Sequence, residues 1–246
     1  MNRNVANTMI IAKRELAGYF TSPVAYVFLI IFLLLTGLFT FMIGRMFERN
    51  EASLDAFFMW HPWLYLFLVP SVGMRLWSEE RRQGTLELLM TLPITQWQAI
   101  VGKFIASWAF LALALVLTCP LVFTVEYLGS PDYGAIVSGY IGSLMLAGAY
   151  LAITCFTSSL TRNQVISFVL SVTICLIMIL AGWPPVTDFV RGVAPSLVEF
   201  VTAFSVMTHF EGFQKGVIDS RDFLFFASVI TFSLFGTSLM LRSLRA

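Results

Sequence analysis

The sequence predicts an all-α integral membrane protein with six transmembrane helices, and three observations carry that prediction. The chain is 58% hydrophobic with only 12% of its residues charged, about half the charge of an ordinary soluble domain. Its mean hydropathy is +0.84. The charges are also placed so that Asp, Glu, Lys and Arg are missing from residues 16–44, 56–74, 104–125, 133–161, 163–187 and 223–241. Each of these windows is long enough for the roughly 20 helical residues that cross a hydrocarbon core of about 30 Å. Finally, the run from Val24 to Phe32 is apolar at every position. That excludes the polar-in, apolar-out alternation of a membrane β-barrel.

Taken in order, residues 3–20 form a short amphipathic helix. Val5, Met9, Ala12, Leu16 and Phe20 recur at helical spacing, while Arg3, Lys13 and Arg14 are placed to face headgroups. It is either a simple lead-in to the first span or an elbow that packs on neighbouring spans. Thr21, Ser22 and Pro23 end it and start the first span. The spans are placed at about 23–44, 57–75, 104–127, 135–160, 164–183 and 222–242 of a single membrane domain, 1–246. Pro62 and Pro70 predict a kink in the second. His61 at its outer end reads as an interfacial polar residue rather than a ligand.

With the N-terminus inside, the cytoplasmic segments hold Arg3, Lys13, Arg14, Arg75, Arg81, Arg82, Lys103, Arg162, Arg242 and Arg245, ten of the 15 basic residues. Only four of the 14 acids, Glu15, Glu79, Glu80 and Glu87, fall on that side. This bias places both termini in the cytoplasm. The near-neutral total therefore hides a polarised molecule with membrane lipids as its surroundings. It has no basic stripe of the kind that binds nucleic acid. The first apolar run is too long, and too far from the start, for a cleavable signal.

Two connections stand out. The longest cytoplasmic one runs from Arg75 to Lys103 and contains a charged turn, a glycine and a compact amphipathic segment, 78–94, that ends at Pro93. Leu88, Leu89 and Leu92 make its apolar stripe, and Glu87 and Thr91 share another face. The outer region, 184–221, is about forty residues long, broken by Pro184, Pro185 and Pro195, and carries only Glu199 as a charge between Val193 and Phe210. Such apolar stretches, too short to span, read as re-entrant or interfacial helices.

The missing chemistry is informative. Gly102-Lys103 is followed by Phe104 and lacks the rest of a phosphate loop, so no nucleotide hydrolysis is expected of this chain. There is no metalloprotease or serine-hydrolase motif, no catalytic residue and no metal site to nominate. Cys119, Cys155 and Cys175 all fall inside predicted spans as small apolar residues. An ion-coupled carrier often keeps an ionisable group near the midplane, at a cost of about 2.5 to 3.5 kcal/mol. Here the midplanes are empty of charge, and energy for transport has to come from elsewhere.

Two stretches carry a resemblance. Residues 77–94, WSEERRQGTLELLMTLPI, resemble the cytoplasmic signature of type-2 ABC transporter permeases. Residues 205–222, SVMTHFEGFQKGVIDSRD, resemble the segment before the last span in the gliding-motility-associated branch of that family. The resemblance implies a permease subunit in the bacterial inner membrane, pairing with a second copy or a homologous permease. ATP and Mg would be bound by a separate cytoplasmic ABC ATPase and not by this chain. It further implies a coupling helix, with Glu79, Glu80, Arg82, Gly84, Thr85, Glu87, Leu88, Leu89 and Pro93 as ATPase-coupling residues. An outer gate would include Pro195, His209, Phe210 and Glu211. An auxiliary membrane protein with a large extracytoplasmic domain is a further implied partner, whereas a cellular role in gliding is not implied. The competing reading is a secondary carrier or channel that needs no ATPase.

Overall fold

The computed structural model describes residues 3–48, 52–87 and 94–243. Among them every regular element is helical. α1 (Arg3–Thr21) stops where the sequence says it should. Ser22 adopts an extended conformation, its hydroxyl accepts the Val24 N–H at 3.3 Å, and Pro23 opens α2 (Pro23–Leu38). A π-helical turn, Phe39–Ile43, prolongs α2. After α3 (Asp55–Phe58), Met59 and Trp60 form a turn, and Pro62 sits in the first turn of α4 (His61–Gly73), where its missing N–H costs nothing. α5 (Ser78–Gln83) is closed by Gly84 at φ 71°, a left-handed conformation that glycine adopts without strain.

α6 (Gln96–Val116) begins with a capping box between Thr95 and Gln98. Pro120 then starts α7 (Pro120–Leu128). Asp132 caps α8 (Tyr133–Leu160) by accepting from the N–H groups of Gly134 and Ala135, and Asn163 caps α9 (Gln164–Leu180). A run of short helices follows: α10 (Pro184–Val193), a 3-10 turn (Pro195–Leu197), α11 (Val198–Ala203) and α12 (Val206–Gln214). α13 (Ser220–Ser243) completes the chain.

Among the described residues four segments are long and apolar enough to cross a membrane: Pro23–Ile43, Gln96–Leu128, Tyr133–Leu160 and Ser220–Ser243. α9 and α10 add a fifth if that pair, bent by 68°, is one broken span. The predicted second span, 57–75, occurs as α3 and α4 with a break between them. The 13 residues of α4 rise only about 20 Å.

α8 is the keel of the bundle. In its most apolar stretch 72% of residues are buried, against about a third or less in the other three long segments. It packs against α4, α6, α9, α12 and α13, while α1 lies along α6. Small residues make this possible. A Cβ on Gly139 would lie 2.5 Å from the Phe58 ring, and one on Gly142 would lie 2.5 Å from Phe213 Cβ. In lipid, close backbone approach of this kind does the work that water exclusion does in a soluble core.

His61 is fully buried among side chains, with its ring against Phe57, Phe58 and Tyr65 and Nδ1 2.9 Å from the Phe57 carbonyl. The turn ahead of Pro62 lays α3 over it, which the linear pattern does not reveal. In α1, Ala12, Leu16 and Phe20 of the predicted stripe pack inward together with Ile11 and Tyr19, while Val5 and Met9 are exposed and border a cavity with Val101 and Ile105 of α6.

Candidate functional site

Successive residues of the short helix α5 and its flanks reach different helices of the bundle. Trp77 is completely buried and donates from Nε1 to Cys155 Sγ on α8 at 3.1 Å. Ser78 donates back to the Met74 carbonyl at 2.5 Å. Glu79 accepts from Arg82 at 2.6 Å and Gln83 at 2.5 Å with one oxygen, and from Gln164 of α9 with the other. Glu80 faces Lys103 of α6 at 2.7 Å, and Arg81 donates to the Ser159 carbonyl near the end of α8 at 2.5 Å. Thr85 donates to the Glu80 carbonyl at 3.4 Å, across the Gly84 turn.

Lys103 is the hub. Only 4% of its side chain is exposed, and its ammonium lies 3.3 Å from Glu15 of α1 as well as against Glu80. It also sits 5.6 Å above the Trp77 ring, a cation–π contact. Burial pushes the Glu15 carboxyl up, but Lys103 and Arg14 outweigh it and hold Glu15 below its ordinary 4.5. The hydrogen bond from Arg82 keeps Glu79 below that value too, against a smaller opposing effect of burial. Arg81 is shifted down by burial and by neighbouring Arg162. Below this hub, Tyr19 of α1 stacks on Phe110 at 5.0 Å and its hydroxyl meets Ser107 Oγ at 2.8 Å, so α1 is tied to α6 along its length.

Of the sequence-predicted coupling residues, Glu79 thus pairs with Arg82 and reaches Gln164 of α9, while Glu80 pairs with Lys103 of α6. Thr85 is half-buried, Arg82, Gly84 and Glu87 are exposed, and helical conformation resumes at Thr85 and runs through Glu87. Leu88, Leu89 and Pro93 lie outside the described residues. Lys103, Glu15, Trp77 and Gln164 were not picked out from the sequence. The available signal was a lysine at the edge of an uncharged window with an acid at the edge of another.

Ahead of the last long helix, His209 Nδ1 is 2.7 Å from Asp222 Oδ1 at the start of α13, and Nε2 is 3.2 Å from the Ala203 carbonyl. The imidazole stacks on Phe225 at 4.0 Å. Phe210 is buried in the core, whereas Glu211 is exposed and loosely paired with Lys215 at 3.5 Å. Pro195 opens the 3-10 turn. Among the described residues no group of His, Cys, Asp or Glu is arranged to hold a metal ion.

A model of the ABC-2 family transporter proteins matches residues 64–240, well over half of the chain and every helix from α5 to α12. The chain belongs to the ABC-2 transporter family. No curated protein sequence matches it. ABC-2 permeases are multi-pass membrane components of ABC transporters, lack a nucleotide-binding domain of their own and generally work with a cytoplasmic ATPase. The α5 network lies within the matched part of this permease, and α1, which Lys103 ties to it, lies before it.

Proposed function

We propose that this permease is one half of the membrane portion of an ATP-driven exporter, with segment 78–94 as the place where a cytoplasmic ATPase acts. The observation that carries the reading is the placement of α5. A push on a six-residue helix bonded to α6, α8 and α9, and through Lys103 to α1, is delivered to several long helices together. ATP binding favours one transporter state only through contacts that differ between states. In this proposal Arg82, Gly84, Thr85 and Glu87 meet the ATPase, Glu79 and Glu80 anchor the segment to the bundle, and Leu88, Leu89 and Pro93 shape its far end.

The proposal has six spans, with α3 and α4 as the second and α9 as the fifth, and both termini in the cytoplasm of a bacterium with this protein in its inner membrane. α1 is then an elbow at the cytoplasmic surface and α10 to α12 are re-entrant outer helices, with Pro195, His209, Phe210 and Glu211 near the outer gate. The exposed apolar face of α2, including Val27, Ile30 and Leu34, is suited to a second permease subunit or lipid. Kinship with the gliding-motility branch rests on residues 205–222, and an auxiliary extracytoplasmic partner comes with that kinship.

The test is co-expression with the cognate ATPase. The two co-purify, and Glu87→Lys and Leu89→Asp abolish stimulation of ATPase activity while leaving membrane insertion intact. Normal stimulation in both variants overturns the coupling assignment. Transport in proteoliposomes driven by an ion gradient alone overturns the exporter reading.

A further inference from the structure

Between α1, α2, α4 and α6 lies a cavity of about 430 Å³ that none of the coupling contacts fills. Its size is within the range of small-ligand sites. One end is apolar, walled by Val24, Ala25, Phe28, Val72 and Phe110, and the other is charged, with Glu15, Arg75, Glu79, Glu80 and Lys103. The join between α1 and α2 at Ser22 marks the edge of the first span, and Phe28 is about 8 Å deeper along the helix. The polarity of the cavity therefore runs in the same sense as that of a membrane leaflet, from headgroup depth into hydrocarbon.

At the charged end one group has an unmet demand and an exposed cation shares the lining. Glu80 gives one oxygen to Lys103, but its Oε2 is buried with no hydrogen-bond partner among the described residues. A buried acceptor left in that condition costs about 1–3 kcal/mol, and more when charged. Arg75, an exposed residue that lines the same cavity, makes no ion pair or side-chain hydrogen bond among the described residues, so its guanidinium is open to a ligand. The other charges are matched, since Lys103 and Arg14 neutralise Glu80 and Glu15, and Arg82 pairs with Glu79. The site thus asks for one donor, best a charged N–H, and one anionic oxygen, on a molecule with an apolar body.

We propose that this cavity binds the headgroup of an aminophospholipid, with the primary ammonium on Glu80 and the phosphate on Arg75. The acyl chains exceed the cavity and lie against the exposed face of α2 at Val27, Ile30 and Ile31. A phosphatidylcholine headgroup has no N–H to give Glu80. Phosphatidylglycerol offers only neutral hydroxyls there, and charge-assisted hydrogen bonds are roughly twice as strong as neutral ones. The proposal does not depend on the ATPase reading.

The experiment is native mass spectrometry of the detergent-purified permease titrated separately with dioleoyl phosphatidylethanolamine, phosphatidylglycerol and phosphatidylcholine. Phosphatidylethanolamine is expected to bind roughly tenfold more tightly than the other two, about 1.4 kcal/mol. Glu80→Gln is expected to erase that preference, and Arg75→Gln, which removes the partner of a phosphate common to all three lipids, is expected to weaken the binding of all three. Because Glu80 also holds Lys103, a third variant leaves every charge in place. Gly18 lines the cavity and has open space where its Cβ would be, so Gly18→Leu adds apolar bulk at the site from a position where the first carbon meets nothing. It is expected to remove the tight adduct with no loss of thermal stability. Equal affinity for the three lipids, or a preference for phosphatidylglycerol, overturns the proposal. So does a phosphatidylethanolamine preference that survives in both Glu80→Gln and Gly18→Leu.

Discussion

The ammonium of Lys103 stands 2.7 Å from the Glu80 carboxylate, and the same ammonium is 3.3 Å from Glu15, so one buried charge joins α5, α6 and α1. Neither acid is fully exposed, at 20% and 23%. Removing the shared cation leaves two carboxylates facing each other in a poorly solvated place.

Lys103→Met is therefore expected to destabilise the solubilised permease by about 3 kcal/mol, the lower end for breaking a buried ion pair. Thermal unfolding in detergent reads this as a Tm lower by roughly 6 to 12 °C. Adding Glu80→Gln to Lys103→Met is expected to recover part of the loss. A double variant less stable than the single one would show that the Glu80 charge is not what Lys103 neutralises.

Trp77 separates packing from hydrogen bonding. Trp77→Phe keeps a ring under Lys103 but loses the donor to Cys155, for an expected cost of about 1 kcal/mol plus a small volume loss. Trp77→Ala empties a fully buried site and costs about 3–5 kcal/mol. Equal effects of the two substitutions in the same unfolding assay would assign the whole contribution to the indole N–H.

The lowered carboxyl of Glu15 sets a direction with pH. A group held below its ordinary 4.5 in the folded state contributes stability that is complete above that value and lost as pH falls through the folded-state value. Protection of α1 amides from hydrogen exchange, measured relative to α8, is expected to drop below about pH 4.5. Glu15→Gln is expected to show reduced protection at pH 7 and little further change on acidification.

Two glycines make a matched pair. Gly142→Ala forces a methyl group against Phe213, so it is expected to destabilise the contact between α8 and α12 by about 1–3 kcal/mol. Gly37→Ala on α2 meets nothing within 4 Å and is expected to be neutral or to stabilise by up to about 1 kcal/mol through helix propensity. Thermal stability of the two variants checks the sign of each.

His209→Ala removes a hydrogen bond to Asp222, a contact with the Ala203 carbonyl and a stacked ring. Faster hydrogen exchange is expected across α11 and α12, with α1 and α5 unaffected. His209→Phe is expected to restore only the part due to stacking on Phe225. If exchange in α11 and α12 is unchanged in His209→Ala, His209 does not hold the outer helices.

Local signals were readable along the chain. Scarce charges marked apolar helices, Ser22 and Pro23 fixed the end of α1, Gly84 announced the turn after α5, and prolines broke the outer region into short helices. Each of these depends on a few adjacent residues, through capping, backbone conformation or hydrophobic length. The sequence also contained all the charges of the cluster around Lys103, yet it could not pair them. Trp77 meets Cys155 and Arg81 meets Ser159 at separations of 78 residues, and Glu79 meets Gln164 at 85. Only the packing of α8 among its neighbours, at the distance its glycines permit, brings those partners together. The same packing decides that His61 is buried, that Lys103 and not the loop arginines is the shared charge, and that a leaflet-like cavity opens between α1 and α4.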